Sequence, residues 1–434
     1  MYCKLEEDEL WLLPQPEGKV ILYVPLRSYL AVLKNDILKH LYCDENTHTC
    51  VIEKDLSKEI SANFNKHPKI SLKDLALGED GSTIMWDLSL SLSNRCNLAC
   101  IYCHADAGDS SEVLPFEIAK AAIDRLINDC VVRGRHLARL QFAGGGEPAL
   151  HFSLLREIVE YLKIKCTDAG IKYEAGMATN GIYPEETAFE LTNLLTGISL
   201  SHDGPKEIFD IHRPMRGGKS AFEIVMRTAE VFRKRSFPFA LRSTISNITI
   251  KLRLKYFDFF QKEFPSYSVG IEPLNPQGRG LNLDGTVRPP GEEEFADFLT
   301  EAYLRSLKSN FQFHNSTLGK FEVLRVHFCT SIGQPAMTVL PNGDVVACTR
   351  AGAPELYKFG KIDTAGNIHI DDFAASRLRK LSVFSSPKCE TCFCKYNCGG
   401  GCLDLRLSDN LRCNATRKTG MMMLRSKAHL SPEA

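Results

Sequence analysis

Long apolar runs are scarce in this chain of 434 residues. The longest near the N-terminus, "VILYVP" (20–25), falls far short of the roughly 20 apolar residues a spanning helix needs. The opening "MYCKLEEDELWLLPQPEGK" begins acidic and lacks the basic, long-apolar and small-residue pattern of a secretion signal. No excess of either charge exists, because 53 basic residues face 53 acidic ones. That balance removes the electrostatic case for nucleic acid or an anionic membrane as a partner. Internal repeats at a fixed period and low-complexity tracts are absent too. These absences leave a soluble, cytoplasmic protein, long enough for a sizeable core and two or three domains.

What the chain has in quantity is cysteine, 16 in all. In a reducing compartment such a number points to metal ligands rather than disulfides. Three fall within 96–103, and seven lie from Cys348 to Cys413, with Cys329 just before. Cys3, Cys43, Cys50, Cys130 and Cys166 are scattered, and read as small buried hydrophobes or surface thiols.

Residues 1–83 read as a small α+β unit. "KVILYV" is a strand, and Leu30, Leu33, Ile37 and Leu41 recur at helical spacing. The polar "LGEDGST" (77–83) serves as linker. From residue 84 to about 320, short apolar strands alternate with amphipathic helices. The strands are "WDLSLSL" (86–92), "ARLQFAG" (138–144), "YEAGMAT" (173–179), "GISLS" (197–201), "FALRSTI" (239–245) and "SVGIEPL" (268–274). Helical patterns such as 115–133 and 222–235 lie between them. Serial strand–helix units imply a parallel sheet, doubly wound or a partial barrel. Residues 321–420 lose this periodicity and read as a metal-organised domain with short hairpins, one around "PNGDVV". The tail from "TRKTGMMM" onward, including 421–434, is polar enough to be partly disordered.

The chemistry is concentrated in "CNLACIYC". Cys96, Cys100 and Cys103 can bind three irons of a 4Fe–4S cube, because such clusters are held by thiolates. The missing fourth ligand leaves one iron open, as a catalytic metal keeps one position free. By spacing alone, a structural zinc or Fe–S site completed by a distant cysteine is the alternative. "GGGEP" (144–148), "TNG" (179–181), "SHDGPKEIFDIHRP" (201–214) and "RST" (242–244) follow in order. Several of these motifs succeed strand candidates, which is where barrels of this kind place their chemistry.

Taken together these motifs resemble the signature of the radical S-adenosylmethionine (SAM) enzymes. The resemblance implies a partial (β/α)6 TIM-like barrel over 84–320. It also implies SAM on the open iron and hydrogen abstraction by a 5'-deoxyadenosyl radical, with a reductant such as flavodoxin or ferredoxin. Gly145, Gly146 and Glu147 would meet the methionine ammonium. Asn180, Ser201 and Arg213 would contact the rest of the cofactor. The later cysteines resemble the seven-cysteine SPASM pattern, implying two auxiliary 4Fe–4S clusters and three in total. Cys389, Cys392, Cys398 and Cys413 would hold one. Cys329, Cys348 and Cys402 would hold the other, whose fourth ligand is unassigned, and Cys394 is an extra. Two zinc sites are the alternative for the same count.

Enzymes of this architecture mostly act on peptides or proteins. Sulfatase maturases carry an aspartate directly after the second SPASM cysteine, where this chain has Thr349. The N-terminal unit could take up a leader segment as an added strand. The expected activity is therefore maturation of a ribosomally made peptide precursor through an intramolecular carbon–carbon or thioether crosslink. Sulfatase maturation (formylglycine formation) and peptide epimerisation are the alternatives among enzymes. A non-catalytic Fe–S or zinc binding module is the alternative outside them.

Overall fold

The computed structural model describes residues 1–5, 7–44, 49–75, 87–316, 323–333, 336–349, 354–407 and 412–430. The expected linker at 77–83 lies outside them. Two compact units emerge, and they do not follow chain order. One comprises 1–80, 317–333 and 380–434, and the other 81–316 and 334–379. The stretch 321–420, expected as one cysteine-rich domain, is divided between them. Among the described residues no helix is long and apolar enough to cross a membrane.

The first unit is built on six strands: β1 (Tyr2–Leu5), β2 (Asp8–Gln15), β3 (Lys19–Val24), β4 (Tyr29–Lys34), β5 (Leu41–Cys43) and β6 (Thr49–Ile52). Their order is β4-β3-β2-β1-β6-β5, antiparallel except for the β1–β6 pair. Successive side chains in a strand point to opposite faces, and here both faces are buried. Leu10, Leu12, Val20 and Leu22 pack with Ile60 and Phe64 of the helix Lys54–Phe64. Trp11, Leu13, Ile21 and Tyr23 pack with Val326, Val383, Cys389, Phe393, Tyr396 and Leu424.

Three sequence expectations change in this unit. Leu30 and Leu33 lie in β4, not in a helix. A spacing of three in a strand sends side chains to opposite faces, and Leu30 joins the Trp11 side while Leu33 joins the Phe64 side. Cys43 and Cys50 are joined by a disulfide rather than standing as thiols, because β5 and β6 place them directly opposite each other. The polar tail is a helix, Cys413–Lys427, in which Ala415, Thr419, Met422 and Leu424 are buried. Methionine, threonine and glycine on that buried side disguised its amphipathic pattern.

The second unit carries seven parallel strands: β7 (Leu88–Leu90), β8 (Leu137–Phe142), β9 (Lys172–Thr179), β10 (Gly197–Ser201), β11 (Phe239–Ile245), β12 (Ser268–Pro273) and β13 (Gln312–His314). Each pairs with its successor in sequence. That serial order is the winding of a barrel; a doubly wound sheet reverses direction part-way. Among the described residues β13 has no further neighbour, so the barrel they form is partial. On the other side β7 pairs in parallel with β14 (Met337–Val339). Antiparallel β15 (Asp344–Val346), β16 (Lys358–Ile362) and β17 (Ile368–Ile370) extend the sheet. The six expected strands are all present, β13 is an addition, and the "PNGDVV" hairpin is β14–β15.

Candidate active site

The cysteine loop leaves the C-terminal end of β7 and is held mainly through its backbone. The Cys96 amide donates to the Gly108 carbonyl at 2.9 Å, Ala99 to Pro214 at 2.8 Å and Ile101 to His212 at 3.1 Å. Arg279 braces the loop from the far side. Its amide donates to the Cys103 carbonyl at 3.0 Å, and its guanidinium to the carbonyls of Cys100 at 2.8 Å and Ala107 at 2.7 Å. Pinning the backbone leaves the sulfurs for ligation. Amide hydrogens point at two of them: Leu98 N–H toward Cys96 Sγ and Ala107 N–H toward Cys103 Sγ, both at 3.5 Å.

Burial pushes the Cys100 thiol up to about 12 against the pull of Arg213, and Cys96 and Cys103 add to the rise. Cys96 is raised as well, again chiefly by burial. Thiols that resist ionisation alone but influence each other electrostatically suit a site where bound metal displaces the protons. Three thiols, two of them with N–H···S support, fit an Fe–S cluster. Among the described residues no group of three or more His, Cys, Asp or Glu side chains forms a ready-made metal cage.

The GGGEP loop runs directly against the start of the cysteine loop. The Gly146 amide donates to the Ser93 carbonyl and the Glu147 amide to the Arg95 carbonyl, each at 2.8 Å. A Cβ on Gly146 would sit 1.8 Å from the Arg95 carbonyl oxygen, and one on Gly145 would sit 2.6 Å from that of Ser93. Close packing of two backbones therefore requires these glycines before any ligand is considered.

Glu147 is 3% exposed. Its Oε1 accepts from the Thr179 hydroxyl at 2.8 Å and the Ala149 amide at 3.1 Å, and its Oε2 from the Asn180 amide at 2.7 Å. The carboxyl joins the GGGEP loop to the end of β9. Burial nevertheless pushes it up to about 7, with those three donors opposing the rise.

A carboxyl with a folded value above its unfolded one favours the native state while protonated. Its contribution is complete below pH 4.5 and is lost as pH rises through about 7. Between pH 5 and 8 the wild type should lose on the order of 3 kcal/mol more stability than Glu147→Gln, read by urea unfolding at each pH. Parallel pH profiles would contradict this account of Glu147.

Asn180 turns toward the cysteine loop. Its Nδ2 donates to Asn97 Oδ1 at 2.8 Å and approaches Cys96 Sγ at 3.6 Å, while its Oδ1 accepts from the Ile182 amide at 2.8 Å. Ser201 ends β10 opposite Arg242 of β11. Arg213 lies with its guanidinium 5.4 Å from the Tyr102 ring centroid, and its Nε donates to Asp203 Oδ2 at 3.0 Å.

Asp203 is the residue that sequence reasoning missed, although its motif was in view. It is fully buried. It bonds Tyr102 Oη, lies 3.2 Å from His212 Nδ1, and accepts from the Thr244 amide at 2.9 Å. Burial works against its ionisation, but Arg213 first, then His212 and Tyr102, outweigh it and hold the carboxyl well below the usual range. One carboxylate thus ties Tyr102, the residue before Cys103, to two strand ends and a helix end. The buried acid in "SHDGP" and the aromatic in "CIYC" were its only signals.

Thr349 follows Cys348 after β15, and its methyl group would lie 2.5 Å from a Cβ on Gly144. Cys348 belongs to the barrel unit. Cys329, Cys389, Cys392, Cys398, Cys402 and Cys413 belong to the other. There the Cys394 thiol and amide, followed by Arg417, draw Cys392 down to about 6 against burial. Burial pushes Cys398 up to about 12 and also raises Cys389 and Cys413. Cys394 itself is wholly buried and donates to the Thr416 carbonyl at 3.8 Å.

A serially wound partial barrel with a three-cysteine loop at the C-terminal end of its first strand defines an enzyme of the radical SAM class. The chain belongs to the radical SAM superfamily, whose family profile matches residues 90–253. SAM and one 4Fe–4S cluster are that family's cofactors.

A protein of Methanocaldococcus jannaschii, MJ0907, is 30% identical over 221 residues, covering 50% of this chain and 71% of that one. The mycofactocin maturase MftC of Mycolicibacterium smegmatis is 27% identical, covering 73% and 77%. The cysteine-type anaerobic sulfatase-maturating enzyme of Clostridium perfringens is 24% identical, covering 71% and 86%. Among solved structures, native anSMEcpe with bound AdoMet and the Kp18Cys peptide matches with a TM-score of 0.63 at 21% identity, over 79% of this chain and 99% of that one. Streptococcus suis SuiB bound to its precursor peptide SuiA matches with a TM-score of 0.52 at 14% identity, over 95% and 98%. The two structures share the fold of this chain.

Proposed function

We propose that this chain is a maturase of a ribosomally made peptide, abstracting hydrogen from a side-chain or alpha carbon and closing a carbon–carbon or thioether crosslink. The observation that carries the reading is the extent of fold likeness to SuiB, a protein solved with its precursor peptide, over 95% of the chain. Likeness to the anSMEcpe structure covers 79%. Thr349 in place of an aspartate further disfavours formylglycine formation.

In this proposal Cys96, Cys100 and Cys103 would hold three irons, which would leave one for SAM. Bound together, cluster and cofactor would supply one-electron reductive cleavage of a carbon–sulfur bond and, through it, hydrogen abstraction. The residues of the chain position that chemistry. The backbone carbonyls of Gly145 and Gly146 would receive the methionine ammonium. Glu147, both oxygens engaged by the fold, contributes its field and the placement of Asn180. The Ser201 hydroxyl and the Arg213 guanidinium, the latter held by Asp203, address the polar ends of the cofactor. The C-terminal cysteines would hold auxiliary clusters, which would supply an acceptor for the surplus electron, and a flavodoxin or ferredoxin would be the donor of the first one. A leader segment adds to an edge of the six-stranded sheet, at β4 or β5.

The test uses anaerobically reconstituted protein with dithionite, SAM and a precursor peptide. Wild type should release 5'-deoxyadenosine and return the peptide two hydrogens lighter, and Cys96→Ala should do neither. An iron-loaded wild type that yields no 5'-deoxyadenosine with or without peptide would overturn the reading. A peptide cysteine or serine oxidised to formylglycine would replace it with sulfatase maturation.

A further inference from the structure

In the first unit a buried ammonium sits where none of the chemistry above employs a cation. Lys395 is 5% exposed, three residues after Cys392 and three before Cys398. Its Nζ donates to Glu9 Oε1 at 2.6 Å and to the Glu390 carbonyl at 3.3 Å. The ring centroids of Tyr396, Trp11 and Tyr2 lie 5.1, 5.6 and 5.7 Å from it. An opposed carboxylate and three aromatic faces are what make a buried ammonium tolerable.

Glu9 is the hub on the sheet side. It also accepts from the Tyr396 hydroxyl at 2.6 Å and the Tyr2 hydroxyl at 2.8 Å. Burial works against its ionisation, but these donors outweigh it and keep the carboxyl below its usual range. Two further side chains of the sheet grip the same segment. Trp11 Nε1 donates to the Thr391 carbonyl at 2.9 Å and the Tyr23 hydroxyl to Asn397 Oδ1 at 3.1 Å. The N-terminal sheet therefore serves as one wall of the cysteine segment 389–398.

We propose that Glu9 is a positioning residue for the cluster on Cys389, Cys392, Cys398 and Cys413, holding Lys395 in place and offsetting its charge so that the cluster's reduction potential is set from the N-terminal sheet. This rests on those four cysteines being cluster ligands. Net charge and hydrogen bonding around a cluster tune its potential. A nearby cation favours the form that has gained an electron, and an anion beside that cation weakens the effect. Glu9→Gln keeps the shape and most hydrogen bonds but removes the offset.

The measurement is an EPR-monitored titration of reconstituted protein, with dithionite as the electron source and iron content determined in parallel. Glu9→Gln should retain its iron and move one cluster's midpoint to a more positive potential. At the wild-type midpoint, well over half of that cluster would then be reduced. The cluster concerned should be the one whose signal is missing from Cys392→Ala. An unchanged midpoint with iron retained would overturn the proposal. If Glu9→Gln loses that cluster, the neutral pair Glu9→Gln with Lys395→Met should recover it. Loss in both variants would show that the contacts only hold the segment together, which also overturns the proposal. Failure of the underlying reading looks different: Cys392→Ala would keep full iron and every signal.

Discussion

Asp203→Ala should destabilise the barrel unit by about 3–5 kcal/mol, as removal of one partner from a buried ion pair does. Asp203 and its partner His212 are fully buried, and Arg213 nearly so. Without the carboxylate, the Arg213 guanidinium is a buried charge with no counter-charge. The Thr244 amide and the Tyr102 hydroxyl lose their acceptor as well. Urea unfolding followed by circular dichroism measures the loss. Asp203→Leu combined with Arg213→Met removes both charges together and should lose much less than the two single changes summed. A single Asp203→Ala variant within about 0.5 kcal/mol of wild type would contradict the account, since surface changes have effects of that size.

Gly146→Ala should lower 5'-deoxyadenosine release by about a hundredfold or more while leaving the fold assembled. The added methyl would meet the Arg95 backbone oxygen at 1.8 Å and its carbonyl carbon at 2.4 Å. Backbone atoms cannot rotate aside as a side chain can, so the GGGEP loop and the cysteine loop must separate. Displacements on the order of 1 Å at such a site reduce rates by about a hundredfold. Gly197→Ala is the control, because there the methyl would meet only the Pro238 carbonyl at 3.7 Å. Equal activity in the two variants would mean that the loops tolerate separation and that their packing is not what places the cysteines.

The barrel was legible in the sequence because its strands carry their own signal. "ARLQFAG", "YEAGMAT" and "FALRSTI" place apolar side chains on the face the helices cover, and Leu140, Met177 and Leu241 are buried there. The cysteine loop and GGGEP were legible for a related reason, since close spacing and glycine are local facts. Asp203 was not, because its importance comes from Tyr102, 101 positions earlier, and Thr244, 41 later. Glu147 was found for its charge, whereas its contacts show it also as a tie between two loops. The Cys43–Cys50 bond and the helix at 413–427 depend on pairing and burial that spacing does not encode. β4 was misassigned because residues three apart serve a helix face and the two faces of a strand equally well.

The bond from Trp11 to Thr391 joins positions 380 residues apart. At roughly 5–20 residues per second, translation brings Thr391 out on the order of twenty seconds to more than a minute after Trp11. Until residues 383–424 are made, Trp11, Leu13, Ile21 and Tyr23 lack the partners that this segment supplies. These strands thus wait for a segment that is synthesised some 380 residues later. Until that segment arrives they are exposed apolar surface, the kind that makes incompletely folded chains prone to aggregate. A stop codon before the helix Cys413–Lys427 would accordingly harm the sheet of β2 and β3 as much as the helix itself.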